Sequence, residues 1–119
     1  MDLPYQHIIV AIGFALMGLA AFIRPRTLLA MLGLPAETPD SRNEIQAVYG
    51  GFGLAMAGVL IAPHWYPGLT SGIALTVGVA LAGMAIGRLI AALRERPGSW
   101  PSIFFVIEAI AAGLLLSTI

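Results

Sequence analysis

The chain has 119 residues, 59% of them hydrophobic and only 10% charged, with a mean hydropathy of +0.92. A soluble domain carries about 25% charged residues, so this surface cannot be covered by charge in water, and a bilayer is the expected solvent. Zero net charge argues against the basic stripe of a nucleic-acid binder, and the lack of Cys excludes disulfides, thiolate metal sites and cysteine nucleophiles.

A helix crosses the hydrocarbon core with about 20 mainly apolar residues, and four such spans follow one another. The first runs from about Tyr5 to Ile23, with Asp2 or Gln6 as candidate caps, and stops at Arg24-Pro25. MDLPYQH, before it, has no basic residue, and RPR follows it. That is the reverse of a signal peptide, so a retained helix is expected. In TLLAMLGLPAETPDSRN, Thr27 to Gly33 reads as a short amphipathic helix in the membrane interface, followed by a polar loop with two prolines. The second span runs from about Arg42 to Ala62. The third covers about Leu69 to Leu93 and is ended by RERPG, and the fourth runs from about Pro101 to Ile119. The connections PHWYPG and RERPGSW are short, which makes neighbouring helices antiparallel. The expected fold is all-α: one integral membrane domain over residues 1–119, built as an antiparallel bundle of four transmembrane helices.

Arginine asymmetry sets the orientation. Arg24, Arg26 and Arg42 flank the first connection, and Arg88, Arg94 and Arg96 lie at or near the third. All six share one side, expected to be cytoplasmic, with both termini outside. Tyr5, Trp65 and Tyr66 form an outer aromatic belt and Trp100 an inner anchor. Arg24, Arg26 and Arg42 suit anionic lipid headgroups. GFALMGLAAFIR (13–24) and GVALAGMAIGR (78–88) share G-x-A-L-x-G-x-A and a following Arg. This is either a parallel repeat of two hairpins or the shared composition of Gly/Ala/Leu-rich helices.

Small residues recur at helical spacing: Gly51, Ala55 and Gly58 with Ala47 on the second span, Gly83 and Gly87 on the third, Gly113 on the fourth. Gly50, Gly53 and Ala57 line an adjacent face of the second span. Small residues let helix backbones approach closely in lipid. The main expectation is packing within the chain; a homodimer face and a ligand gap are the alternatives.

Intramembrane charge is expensive and normally paired. Glu108 lies about six residues inside the fourth span, or roughly 9 Å, and Arg88 sits at a similar depth from the same side. These two are expected to pair, with Glu44 as a second partner and Tyr49 and Gln46 adding hydrogen bonds. Glu44 also fits a capping box over Ser41-Arg42-Asn43-Glu44, and Arg88 also has the length to snorkel to the interface. His7 and His64 share the outer side and read as interfacial histidines rather than as a metal or pH-sensing pair.

A Pro after the first span, LLAMLGLP, then EIQAVYGG opening the second, Arg late in the third and Glu early in the fourth resemble a family of small bacterial four-helix membrane proteins. That family is catalogued as a domain of unknown function and looks related to the DoxX-like proteins. Its most specific element is E-x-x-A-x-Y-G-G, Glu44 to Gly51. The family pattern often has an Arg just before that Ala, where this chain has Gln46. The resemblance implies a fold and a membrane location, and no activity.

The expected function is that of a small integral inner-membrane protein, not an enzyme, whose Glu/Arg cluster is structural. The alternatives are an oligomeric transporter or channel for small solutes or ions, and a lipid- or quinone-binding protein, using the same cluster. No catalytic residue, metal ligand or cofactor is assigned. The expected partners are membrane lipids, a second copy of the chain, and a lipid or quinone ligand, with no nucleic acid.

Overall fold

The computed structural model describes residues 3–35 and 38–119. The first helix, α1 (Tyr5–Ile23), follows Pro4 with no side-chain cap, so Gln6 lies within the helix rather than capping it. The capping expectation for Asp2 falls outside the described residues. Pro25 breaks the helix, because its ring cannot continue the hydrogen-bond ladder. The same proline then serves as first residue of α2 (Pro25–Met31), so α2 starts two residues before the expected Thr27. Gly33, at φ +73°, ends it in a left-handed turn. There Gly33 N–H donates to the Ala30 carbonyl (3.0 Å) and Leu34 N–H to the Leu29 carbonyl (2.9 Å), a Schellman pattern.

The second span, α3 (Pro39–His64), begins three residues before the expected Arg42. Thr38 caps it, its Oγ1 accepting the Ser41 N–H at 3.1 Å, and Pro39 takes the first helical position. The Ser41–Glu44 capping box therefore does not form, since Thr38 already occupies that role. Inside α3, Gln46–Gly51 winds as a π-helix between an α-helical start (Pro39–Ile45) and an α-helical continuation (Phe52–Ile61). The Phe52 N–H accordingly reaches back to the Ala47 carbonyl. The third span is α4 (Pro67–Ala92), and the fourth is α5 (Ser99–Leu116).

α1 packs along α3 and α4 along α5, and the two hairpins join mainly through α1 and α5. A core at the end away from the arginine-bearing connections draws on all four spans, with Val10, Leu60, Val77, Leu81 and Leu115 at its centre. At the arginine end the apolar cluster of Ala21, Leu28, Leu29 and Ile45 belongs to α1, α2 and α3 alone. Among the described residues the hairpins share no buried apolar cluster there. At most 28% of any span's apolar window is buried. Leu16, Ile86, Ile90, Val106 and Ile110 all point outward. Four helices are long and apolar enough to cross a membrane, and the 46 Å long axis matches a bilayer with its headgroups.

Contact positions correct the glycine expectation. A Cβ built on Gly18 would lie 2.8 Å from Leu54 and 2.9 Å from the Gly50 carbonyl; on Gly53 it would lie 3.0 Å from the Phe14 carbonyl. Gly50 faces Phe22, and Gly78 faces Leu116. Gly58, Gly83, Gly87 and Gly113 meet nothing within 4 Å, Gly51 meets only a carbonyl of its own helix at 3.9 Å, and Ala55 is exposed. On α3 the buried stripe crosses the π-turn. The buried positions Ile45, Gly50, Gly53 and Leu60 contain a five-residue step across it. The extra residue brings Gly50 and Gly53 into phase with Ile45, while Gly51, Ala55 and Gly58 lie on another face of the helix. The possible repeat has no counterpart in packing: Gly18 and Gly78 are clamped, while their aligned partners Gly83 and Gly13 face open space.

Candidate functional site

The polar site is built on α5. Trp100, Phe104 and Glu108 recur every four residues, which places them on one face of a helix. Trp100 stacks on Phe104 (centroids 6.1 Å apart, planes at 30°), and Phe104 lies under the Arg88 guanidinium, 5.6 Å from ring centroid to Cζ. Arg88, from α4, donates through Nε to Glu108 Oε1 (2.7 Å) and through Nη2 to Oε2 (3.0 Å). Two parallel charge-assisted bonds fix the relative rotation and height of α4 and α5 as a single bond would not. The aromatic face beneath the cation adds a cation–π attraction of about 0.5–1 kcal/mol where solvent reaches it, more where it is dry.

Glu108 is 8% exposed and the Arg88 side chain 25%. The carboxylate is therefore the enclosed member, and the guanidinium is open on one side. Tyr49, within the π-turn of α3, interacts electrostatically with Arg88. It brings a phenol from the first hairpin toward the arginine of the second. Winding as a π-helix sets which side of α3 Tyr49 occupies, and π-turns are frequent at functional positions.

Glu44 and Gln46 do not join this group. Glu44 is exposed and lines a separate hollow of about 520 Å³ with Asp40, Leu29, Ile45 and Tyr49. With α3 starting at Pro39, Glu44 falls in the second helical turn, on a face turned away from α4. Gln46 makes no side-chain hydrogen bond among the described residues.

His7, expected at the interface, is enclosed instead. It is fully buried at the opposite end of the bundle, its Nε2 3.4 Å from the Thr70 carbonyl. A carbonyl oxygen only accepts, so the proton belongs on Nε2, and Nδ1 is left as a buried acceptor with no partner. A polar residue in the first turn of an apolar span reads as interfacial. Only the tertiary structure, with the Thr70 carbonyl beside the ring, shows that this one is covered. His64 is exposed and meets Trp65 edge-on at 4.9 Å. Among the described residues, no three His, Asp or Glu side chains gather as a metal site.

Fold and site together define an all-α chain with four membrane-length spans and an Arg88–Glu108 ion pair between two of them. The chain belongs to the family described as Domain of unknown function (DUF4345), which it matches over residues 6–118. Comparison with curated proteins and with solved structures finds no match.

Proposed function

We propose that this chain is a non-enzymatic, multi-pass protein of the bacterial cytoplasmic membrane in which the polar site is structural. The observation that carries this reading is the two-point Arg88–Glu108 bond between neighbouring spans. The pair neutralises itself, has no nucleophile beside it, and is backed by aromatic rings rather than by a polar path. A desolvated pair of this kind contributes little net stability against an apolar core of equal shape, but it does specify register. This reading includes a relation of the family, whose most specific element here is E-x-x-A-x-Y-G-G at Glu44 to Gly51, to the DoxX-like proteins. A DoxX-like structure whose corresponding segment runs as plain α-helix would sever that relation.

Flux separates this reading from transport. Vesicles reconstituted with the chain are expected to leak protons, potassium and chloride no faster than empty vesicles. A flux abolished by Glu108→Gln would make the pair part of a transport path and end the structural reading. The proposed membrane lipid partners enter only as solvent in this account.

The arginine end is proposed to face the cytoplasm and both termini the outside, from the placement of all six arginines. Because the chain has no native Cys, single substitutions report topology cleanly. Gly68 and Gly98 both have open space around the Cα. An impermeant maleimide is expected to label Gly68→Cys in intact cells and Gly98→Cys only after permeabilisation. The opposite pattern would invert the topology.

A further inference from the structure

Beyond the ion pair, the arginine end carries a second hollow of about 520 Å³ between the ends of α4 and α5. Its deep wall includes Arg88, its rim Arg94, Glu95 and Arg96, and its apolar side Leu89 and Phe105. That volume falls within the ordinary range for a small-molecule site. Arg88 is already neutralised by Glu108. Arg94 and Arg96 form no ion pair among the described residues. With Glu95 they leave one uncompensated positive charge at the rim. The 18-residue α5 begins at this hollow, and no side chain caps its first-turn N–H groups. Ser102, which also lines the hollow, spends its hydroxyl on the Gly98 carbonyl (3.0 Å). The exposed N–H groups and the helix dipole therefore add further positive potential.

From this arrangement we propose that the hollow binds the headgroup of an acidic phospholipid. A singly charged phosphodiester balances the rim, and the glycerol and the start of an acyl chain lie against Leu89 and Phe105. The joint presence of one excess charge and an apolar wall at the membrane surface selects a lipid over a free anion. A zwitterionic lipid brings its own cation and gains little from the rim. The site is separate from the structural role of Arg88 and Glu108 and does not depend on it.

The test is native mass spectrometry of the full chain in neutral detergent, titrated with phosphatidylglycerol or with phosphatidylcholine of the same acyl chains. Phosphatidylglycerol is expected to be retained at least tenfold more tightly. Each basic residue near a membrane surface accounts for about fivefold in binding, so Arg94→Gln with Arg96→Gln should weaken it by about 25-fold. The matched pair Arg24→Gln with Arg26→Gln, at the same end, should change it far less, because neither residue lines the hollow. Ala91 is exposed and lines the hollow. Ala91→Trp fills the space without touching a charge and should also lower retention. Equal losses from the two arginine pairs, or no effect of Ala91→Trp, would reduce the binding to diffuse surface attraction and overturn the proposal. Displacement of the lipid by millimolar sodium phosphate would overturn it in favour of a free anion.

Discussion

Arg88→Met is expected to destabilise the bundle by about 3 kcal/mol, the lower end of the range for breaking a buried ion pair. The lower end applies because the Arg88 side chain is a quarter exposed, so part of its charge is solvated already. The loss comes from Glu108, which would stay enclosed with neither of its two donors. Glu108→Gln should cost less, since the stranded arginine has a long stem that carries its charge toward the interface. Replacing both residues by Met should restore stability to within about 1 kcal/mol, because hydrogen bonds between membrane helices average only about 0.6 kcal/mol. Unfolding of the parent and the three variants in mixed micelles checks these values. If Arg88→Met is as stable as the parent, the pair is not enclosed in the membrane. If the double variant is as damaged as the single one, packing by the stem of Arg88 rather than charge holds α4 to α5.

Gly18→Leu should be at least as damaging, at about 3 kcal/mol or more, beyond the usual cost of overpacking. A Cβ there meets a backbone oxygen, that of Gly50, at 2.9 Å, and backbone cannot rotate away as a side-chain tip can. α1 and α3 would have to separate, and the facing contact of Gly53 on the Phe14 carbonyl would open with them. Gly83→Leu provides the contrast, because its Cβ position is open within the chain. It should leave the monomer fold and its thermal stability unchanged. A large loss at Gly83 would show that this face is covered by a second copy, a partner or tightly held lipid. Equal tolerance at both positions would contradict the observed α1–α3 approach.

Glu108 was legible as a residue needing a partner because a short acidic side chain surrounded by FFVIEAIAAG has nowhere else to put its charge. Arg88 was the cation at matching depth, and the structure places the two in contact. Tyr49 was legible as a candidate, while Glu44 and Gln46 were assigned to the same group wrongly. The error came from reading α3 as one uniform helix. A π-turn adds a residue without altering local composition, so hydropathy alone does not reveal it, yet it rotates every side chain on one part of the helix relative to the other. Nothing in the spacing reveals it, because Ile45 and Leu60 are also joined by ordinary steps of three and four through Tyr49, Gly53 and Ala57. His7 shows the same limit at the other end, since a sequence assigns polarity to a residue but not the neighbour that covers it.

By itself the sequence determined the number of membrane-length apolar spans, the proline breaks and the end of the bundle that carries the arginines. These follow from hydrophobic length, from the missing proline N–H and from the charge of single residues, all of which are local. Tertiary structure alone decided which glycines touch a neighbour, how the two hairpins meet, and that the Arg88–Glu108 pair lies against Phe104 while Glu44 faces away. Those outcomes depend on the rotation of one helix relative to another. In this chain, a single π-turn at Gln46–Gly51 sets that rotation for the second span.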